Sequence, residues 1–199
     1  MASLLIDSHY FPPLTYLSSL SHTTHCYFYI YDRFQKMTFR NRCVIAGANG
    51  PITLSVPLKG GRDQKGFLKE IEIDQNTAWQ SNHWKSICSC YNHSPWFDHY
   101  RESLRPFFEK EYRLLADLNL EVFGWVLQQL QWPLNFSISD LPDGHYHDLR
   151  NAFTPKKLKT LGTPFTYHQV FQERIGFQPH LSVLDLLFCT GPRAGELLK

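Results

Sequence analysis

The sequence predicts an α/β fold built on a parallel core, and three observations carry that expectation. A short apolar run, Leu4-Leu5-Ile6, is stopped by Tyr10-Phe11-Pro12-Pro13, where two prolines remove backbone donors. Leu14, Leu17 and Leu20 then recur at helical spacing, so residues 13–21 form a short helix. Cys26-Tyr27-Phe28-Tyr29-Ile30-Tyr31 is rich in β-formers and ends at Asp32. Strand, helix, strand is the order of a βαβ unit, the crossover that a parallel pair requires.

The remaining elements follow in order. Residues 42–45 and 52–56 flank Ala48-Asn49-Gly50, and Asn-Gly between two β-like runs signals a hairpin. Residues 60–66 form a polar loop. Leu68 to Ile73 alternates apolar and polar, the pattern of a half-exposed strand. From Asn76 the period becomes helical, with Trp79, His83, Trp84, Ile87, Cys90 and Tyr91 on one stripe that Asn92-His93-Ser94-Pro95 breaks. A second helix runs from Trp96 to about Leu104. Phe107 to Trp132 is amphipathic, with Asn119 as its break or start, and residues 134–138 form a further strand. Residues 139–166, rich in Pro, Gly, Asp, His and Lys, read as a long loop: a lid, a binding loop or a disordered stretch. Leu181 to Phe188 closes the chain as a helix, with Ser182 as its N-cap and Thr190-Gly191-Pro192 as its stop. The whole is a Rossmann-like core with an inserted β-hairpin and a mostly helical C-terminal half.

Composition narrows the class. At 199 residues the expectation is one domain, residues 1–199, since domains commonly hold roughly 100–200 residues. Twenty Lys and Arg against eighteen Asp and Glu give a net charge of +2, too small an excess for a nucleic-acid binder. The five cysteines are odd in number and irregularly spaced, which points to a reducing compartment. The N-terminal run is cut by Asp7, so it lacks the form of a signal peptide. No window approaches the roughly 20 apolar residues of a membrane span. A cytoplasmic protein is expected.

The familiar chemical signatures are missing. There is no GxGxxG, Walker loop, GxSxG elbow, HExxH or CxxC. His145-Tyr146-His147 with Asp148 is the nearest approach to a metal cluster, and adjacent histidines in a polar loop read as exposed side chains, so no metal site is expected. Nothing names a cofactor.

Three constellations remain. Ser8-His9-Tyr10-Phe11-Pro12-Pro13 sits where the first strand ends, and ligands in open α/β sheets bind beyond the carboxyl ends of strands. Phe39-Arg40-Asn41-Arg42, preceded by Asp32, supplies guanidinium forks suited to a carboxylate or phosphate. If residues 39–45 are a strand, Arg40 and Arg42 share a face. His83-Trp84-Lys85-Ser86 offers a base, a charge and a hydroxyl on one helix. Each also has a plain structural reading: a packed turn, surface ion pairs and a satisfied core histidine.

Together these segments resemble the WbqC-like protein family. The likeness lies in Tyr10-Phe11-Pro12-Pro13, in Gln35-Lys36, and in the run from Phe39 through Arg40-Asn41-Arg42 to Gly50. It continues in Leu54-Ser55-Val56-Pro57-Leu58, His83-Trp84-Lys85-Ser86-Ile87, Tyr91 to Phe97, Tyr167 to Phe171 and Leu181 to Phe188. Ser8-His9 stands where the commoner opening has Gln-Pro, and Thr15 where many members carry Gly. The resemblance implies a link to O-antigen and other polysaccharide gene clusters and a transfer of glycyl or related acyl groups to a sugar-containing acceptor. On that reading Arg40 and Arg42 hold a small anionic donor, Asp32 is a further substrate-binding residue, Tyr10 and Asn41 orient the substrate, and His83 is the general base assisted by Lys85 or Ser86. One alternative is a non-catalytic binding protein for an anionic metabolite or a partner enzyme. Another is a nucleotide-dependent enzyme resembling the HIGH-type nucleotidylyltransferases, although Pro12-Pro13-Leu14-Thr15-Tyr16 lacks both histidines of their turn.

Overall fold

A computed structural model of the chain describes residues 3–61, 63–138, 145–162 and 165–199. Its elements run β1 (Ser3–Ile6), α1 (Leu14–Ser18), β2 (His25–Phe28), β3 (Arg42–Gly47), β4 (Gly50–Ser55), α2 (Trp79–Tyr91), α3 (Phe97–Leu104), α4 (Leu115–Gln129), β5 (Asn135–Ile138), β6 (Tyr146–Asp148), α5 (Pro155–Leu158), α6 (Gln172–Ile175), α7 (Val183–Thr190) and α8 (Ala194–Leu197).

Four strands form a parallel sheet in the order β5-β2-β1-β6. The expected βαβ unit is there: Leu4 pairs with Cys26 and Ile6 with Phe28 in parallel register. Leu4, Leu5 and Ile6 are all buried, as a strand flanked on both edges must be. In chain order the strands read third, second, first, fourth. The direction of winding therefore reverses between β1 and β6, and the carboxyl ends of those two strands border the crevice where such sheets take ligands.

The hairpin forms as expected, with Arg42 opposite Ser55 and Gly47 opposite Gly50. Gly50 closes the turn at φ 128°, a backbone state open to glycine. The hairpin stands apart from the parallel sheet as its own two-stranded ribbon. Below it, α2 presents Trp79, His83, Ile87, Cys90 and Tyr91 to the core, the stripe its spacing predicts.

Several expectations are corrected. Residues 68–73 are not a strand: Leu68–Glu70 is a 3-10 turn that buries Leu68 together with Ile71, and only Glu72 and Ile73 make isolated bridges. The long amphipathic pattern is broken ahead of Asn119, because Arg105–Phe108 is a 3-10 turn and α4 starts at Leu115. Asn119 lies inside that helix with its side chain buried. The stretch 139–166 holds β6 and α5, although 139–144 and 163–164 fall outside the described residues. A three-residue strand of Tyr, His and Asp carries no β pattern of its own; pairing with β1 makes it one.

The closing helix locks the core. Ser182 caps α7 by accepting from the Leu184 N–H, and its hydroxyl donates to the Phe11 carbonyl at 2.9 Å. Asp185 sits in the first turn of α7. Its carboxylate accepts from Tyr91 Oη at 2.7 Å and Tyr167 Oη at 2.6 Å, while Tyr91 Oη accepts from the Ala46 N–H at 2.9 Å. Burial raises the Asp185 carboxyl above its ordinary range, and the two tyrosine bonds pull it back down. One hydroxyl thus joins β3, α2 and α7. Replacing Tyr91 by Phe should cost about 1–3 kcal/mol in urea denaturation, since it strands one lone pair of a buried carboxylate and a backbone donor. A loss below about 0.5 kcal/mol would show that this network does not hold the helices to the hairpin.

Candidate functional site

The site is built from the chain segments that leave the sheet at its carboxyl edge. Asp7 follows β1 directly, Arg150 and Asn151 follow β6, and Asp32 lies beyond β2. Arg40 reaches the same place from the turn that precedes β3.

Arg40 is 0% exposed. Its Nη2 donates to Asp7 Oδ1 at 2.5 Å and to Asn151 Oδ1 at 3.0 Å. The Asn151 N–H donates to Asp7 Oδ2, so the three residues close a ring. Asn151 manages this by sitting at φ 57°, a left-handed state that asparagine tolerates. From α4, Asn119 Nδ2 donates to the Arg40 carbonyl at 2.8 Å. Taking a guanidinium and a carboxylate out of water costs several kcal/mol per ion, which such bonds must offset.

The offset is incomplete. Arg40 Nε and Nη1, His9 Nδ1 and Asn119 Oδ1 are shut off from solvent and have no hydrogen-bond partner. Buried polar atoms are normally paired, so unpaired ones collected around a single turn call for a functional explanation. His9 packs between Tyr16 and Phe39, with ring centroids 4.5 and 5.9 Å away. Burial pushes its imidazole down to about 4, with Asp7 opposing and Arg40 reinforcing the shift. It is therefore neutral at pH 7.

Arg150 forms the rim. It forks onto Asp148, reaches Asp32 at 3.0 Å and lies 5.1 Å above the Tyr29 ring. Burial lifts the Asp32 carboxyl above its ordinary value, and Arg150 and Arg40 pull it back. The turn after β1 is also strained. Phe11 has φ 41°, unusual for a bulky side chain, and is held there by the Ser182 hydroxyl on its carbonyl and by Val183 N–H on Pro12.

Of the residues the sequence singles out, Arg40 and Asp32 converge here. Arg42 does not share a face with Arg40, because the strand begins only at Arg42; its half-buried guanidinium turns to Met37 Sδ at 3.7 Å. Asn41 Nδ2 donates to the Val56 carbonyl and pins the base of the hairpin. Tyr10 Oη meets His83 Nδ1 at 3.0 Å, so that nitrogen is committed inside the protein. Lys85 is exposed, and the Ser86 hydroxyl donates back to Asn82 of its own helix. His147 is exposed and Asp148 is taken by Arg150. Asp7, Asn119, Arg150 and Asn151 were not singled out. A carboxylate directly after an apolar strand and an Asn on the apolar face of α4 were the available signals; for Arg150 and Asn151 there was none.

A model of the WbqC-like protein family matches residues 7–151, well over half of the chain. The chain belongs to the WbqC-like protein family. The matched stretch begins at Asp7 and ends at Asn151, the two residues that grip the Arg40 guanidinium. The uncharacterized protein Rv1507c of Mycobacterium tuberculosis (strain ATCC 25618 / H37Rv) is similar, at 27% identity over 227 residues covering 98% of this chain and 96% of the relative. No solved structure matches the chain.

The two buried histidines of this WbqC-like chain make its stability pH-dependent. Burial holds His83, like His9, at about 4 against an ordinary 6.5. Between those values the unfolded chain binds protons that the fold does not, so stability present above pH 6.5 is lost as the pH falls toward 4. Each imidazole accounts for roughly 3 kcal/mol of that loss. Urea unfolding of wild type and His83→Gln should therefore converge as pH drops from 7 to 4.5. A cost of His83→Gln that is the same at both pH values would show that His83 is not held neutral.

Proposed function

We propose that this WbqC-like protein is a cytoplasmic transferase that takes a small acyl or aminoacyl donor, with its carboxylate or phosphate on Arg40, and passes the acyl group to a sugar-containing acceptor. The observation that supports this reading is Arg40 itself: a fully buried guanidinium at the carboxyl end of the central strand, with Nε and Nη1 unspent. Each of those two nitrogens can donate a charge-assisted bond to an oxyanion, while Nη2 stays on Asp7 and Asn151. Arg150, whose side chain is 22% exposed, is the first charge an entering anion meets, and exchanging Asp32 for the ligand opens the way inward.

His9 takes the role of base in this scheme, since it is neutral, borders Asp7 and Arg40 and has an unspent nitrogen. The acceptor hydroxyl gives its proton to His9 as its oxygen bonds the acyl carbon, and the donor's leaving group departs with the electron pair of the broken bond. His83 orients Tyr10 instead. In this reading the acceptor belongs to O-antigen or other polysaccharide synthesis, the role that the resemblance to the family implies.

A second reading, a binding protein for an anionic metabolite, has its own support: Lys85 is exposed, the Ser86 hydroxyl bonds back to its own helix, and His83 is bonded to the Tyr10 hydroxyl. The two readings part on His9→Gln. A transferase loses turnover and keeps donor affinity; a binding protein keeps everything.

The test is a thermal-shift series with inorganic phosphate, glycine, acetyl phosphate, acyl-CoA, nucleotide sugars and ATP with Mg²⁺. A ligand at a hundredfold its Kd adds about 2.7 kcal/mol to the stability of the folded state. The expected result is a shift with a phosphate- or carboxylate-bearing compound that weakens at least tenfold in Asn151→Ala. An equal shift in that variant would contradict the site. A shift with ATP and Mg²⁺ alone would favour nucleotide-dependent chemistry instead.

A further inference from the structure

A cavity of about 530 Å³ lies between β3, α5 and the segment before α7. That is within the roughly 300–1,000 Å³ of small-molecule sites. Phe39, Val44, Pro155, Leu158, Leu161 and Pro179 give it an apolar wall, and Leu161 is exposed at 44%. An apolar hollow of this kind gains from covering, at about 25 cal/mol per Å².

Its polar groups decide what kind of molecule fits. Gln178 has its amide nitrogen spent on the Ile175 and Gly176 carbonyls. His180 Nδ1 is 2.6 Å from Thr15 Oγ1, and burial lowers the basicity of its imidazole below the ordinary value. Lys159 is the charged side chain that remains, exposed at the rim and without an ion-pair partner, and no carboxylate lines the cavity among the described residues. An apolar wall with one unpaired cation at its edge is complementary to an apolar body that carries one negative charge.

We propose that this cavity is a second ligand site, for a medium-chain carboxylate whose tail lies against Val44 and Leu158 and whose carboxylate meets Lys159. It shares only Phe39 with the Arg40 site, since the ring that lines the cavity also packs near His9. The proposal does not rest on the transferase reading: a protein with no transfer activity would bind the same ligand here.

The experiment is calorimetric titration of the full chain with decanoate, kept below the concentration at which it forms micelles. Wild type should bind one equivalent saturably. Decan-1-ol should bind severalfold more weakly, and decyltrimethylammonium should not bind. Val44→Trp fills the cavity and should abolish binding. Lys159→Glu is a surface change that leaves the fold intact and should weaken binding at least tenfold. No saturable binding of decanoate to wild type would overturn the proposal. So would affinity unchanged in Lys159→Glu, or binding lost in Asn151→Ala and kept in Val44→Trp, which would move the ligand to the Arg40 site.

Discussion

The ion pair between Arg40 and Asp7 is the constraint on which the rest of the structure depends. Arg40 belongs to the turn that launches the hairpin, and Asp7 to the end of the central strand. Asn151 brings in the end of β6, and Asn119 brings in α4 through the Arg40 carbonyl. The Tyr10 N–H adds a bond to the Phe39 carbonyl, so the two turns are laced along their backbones as well. A buried charge that loses its partner typically costs 3–5 kcal/mol. The sheet, hairpin and helical layer are therefore held in register by a group that the protein can ill afford to expose, and that same group retains unspent donors.

Strain and polarity meet in the turn after β1. Phe11 is forced into a left-handed backbone state, and the α7 cap holds it there. The consequence is positional. Tyr10 is aimed at His83 on one side, while Ser8 and His9 are left beside Asn119, Asp7 and Arg40 on the other. The two buried histidines thus differ in their partners: His83 bonds the Tyr10 hydroxyl, whereas His9 is buried with a nitrogen to spare. A strained turn supported from three elements keeps its shape when a ligand is absent, which is what a preorganised site requires.

Local patterns made much of the fold legible. Apolar runs cut by Pro, an Asn-Gly pair and a helical stripe over Trp79–Tyr91 each state their element within a few residues. What was not legible depends on distant partners. β6 is a strand because β1 offers it an edge, and Tyr146-His147-Asp148 has no period that announces this. Leu68 and Ile71 serve an alternating strand and a helical turn equally well. Asn119 looks like a breaker until Arg40 supplies a carbonyl for it. The arginine pair was half legible. Chemistry points to Arg40, but its difference from Arg42 comes from where the strand starts, and boundaries are what periodicity fixes least well. Asp185 needed tyrosines from α2 and from the segment before α6, which spacing along the chain does not reveal.

The central claim is that Arg40, although paired with Asp7, keeps nitrogens available to an anion. It is tested most directly by observing the guanidinium itself. With ¹⁵N-labelled arginine, the Arg40 Nε–H resonance, assigned by its absence in Arg40→Lys, can be followed as inorganic phosphate is added at constant ionic strength. The account predicts a saturable movement of that resonance while the exposed Arg193 signal stays in place. A resonance that does not move in the folded protein would make Arg40 a purely structural ion and remove the basis for a ligand site at the end of β1.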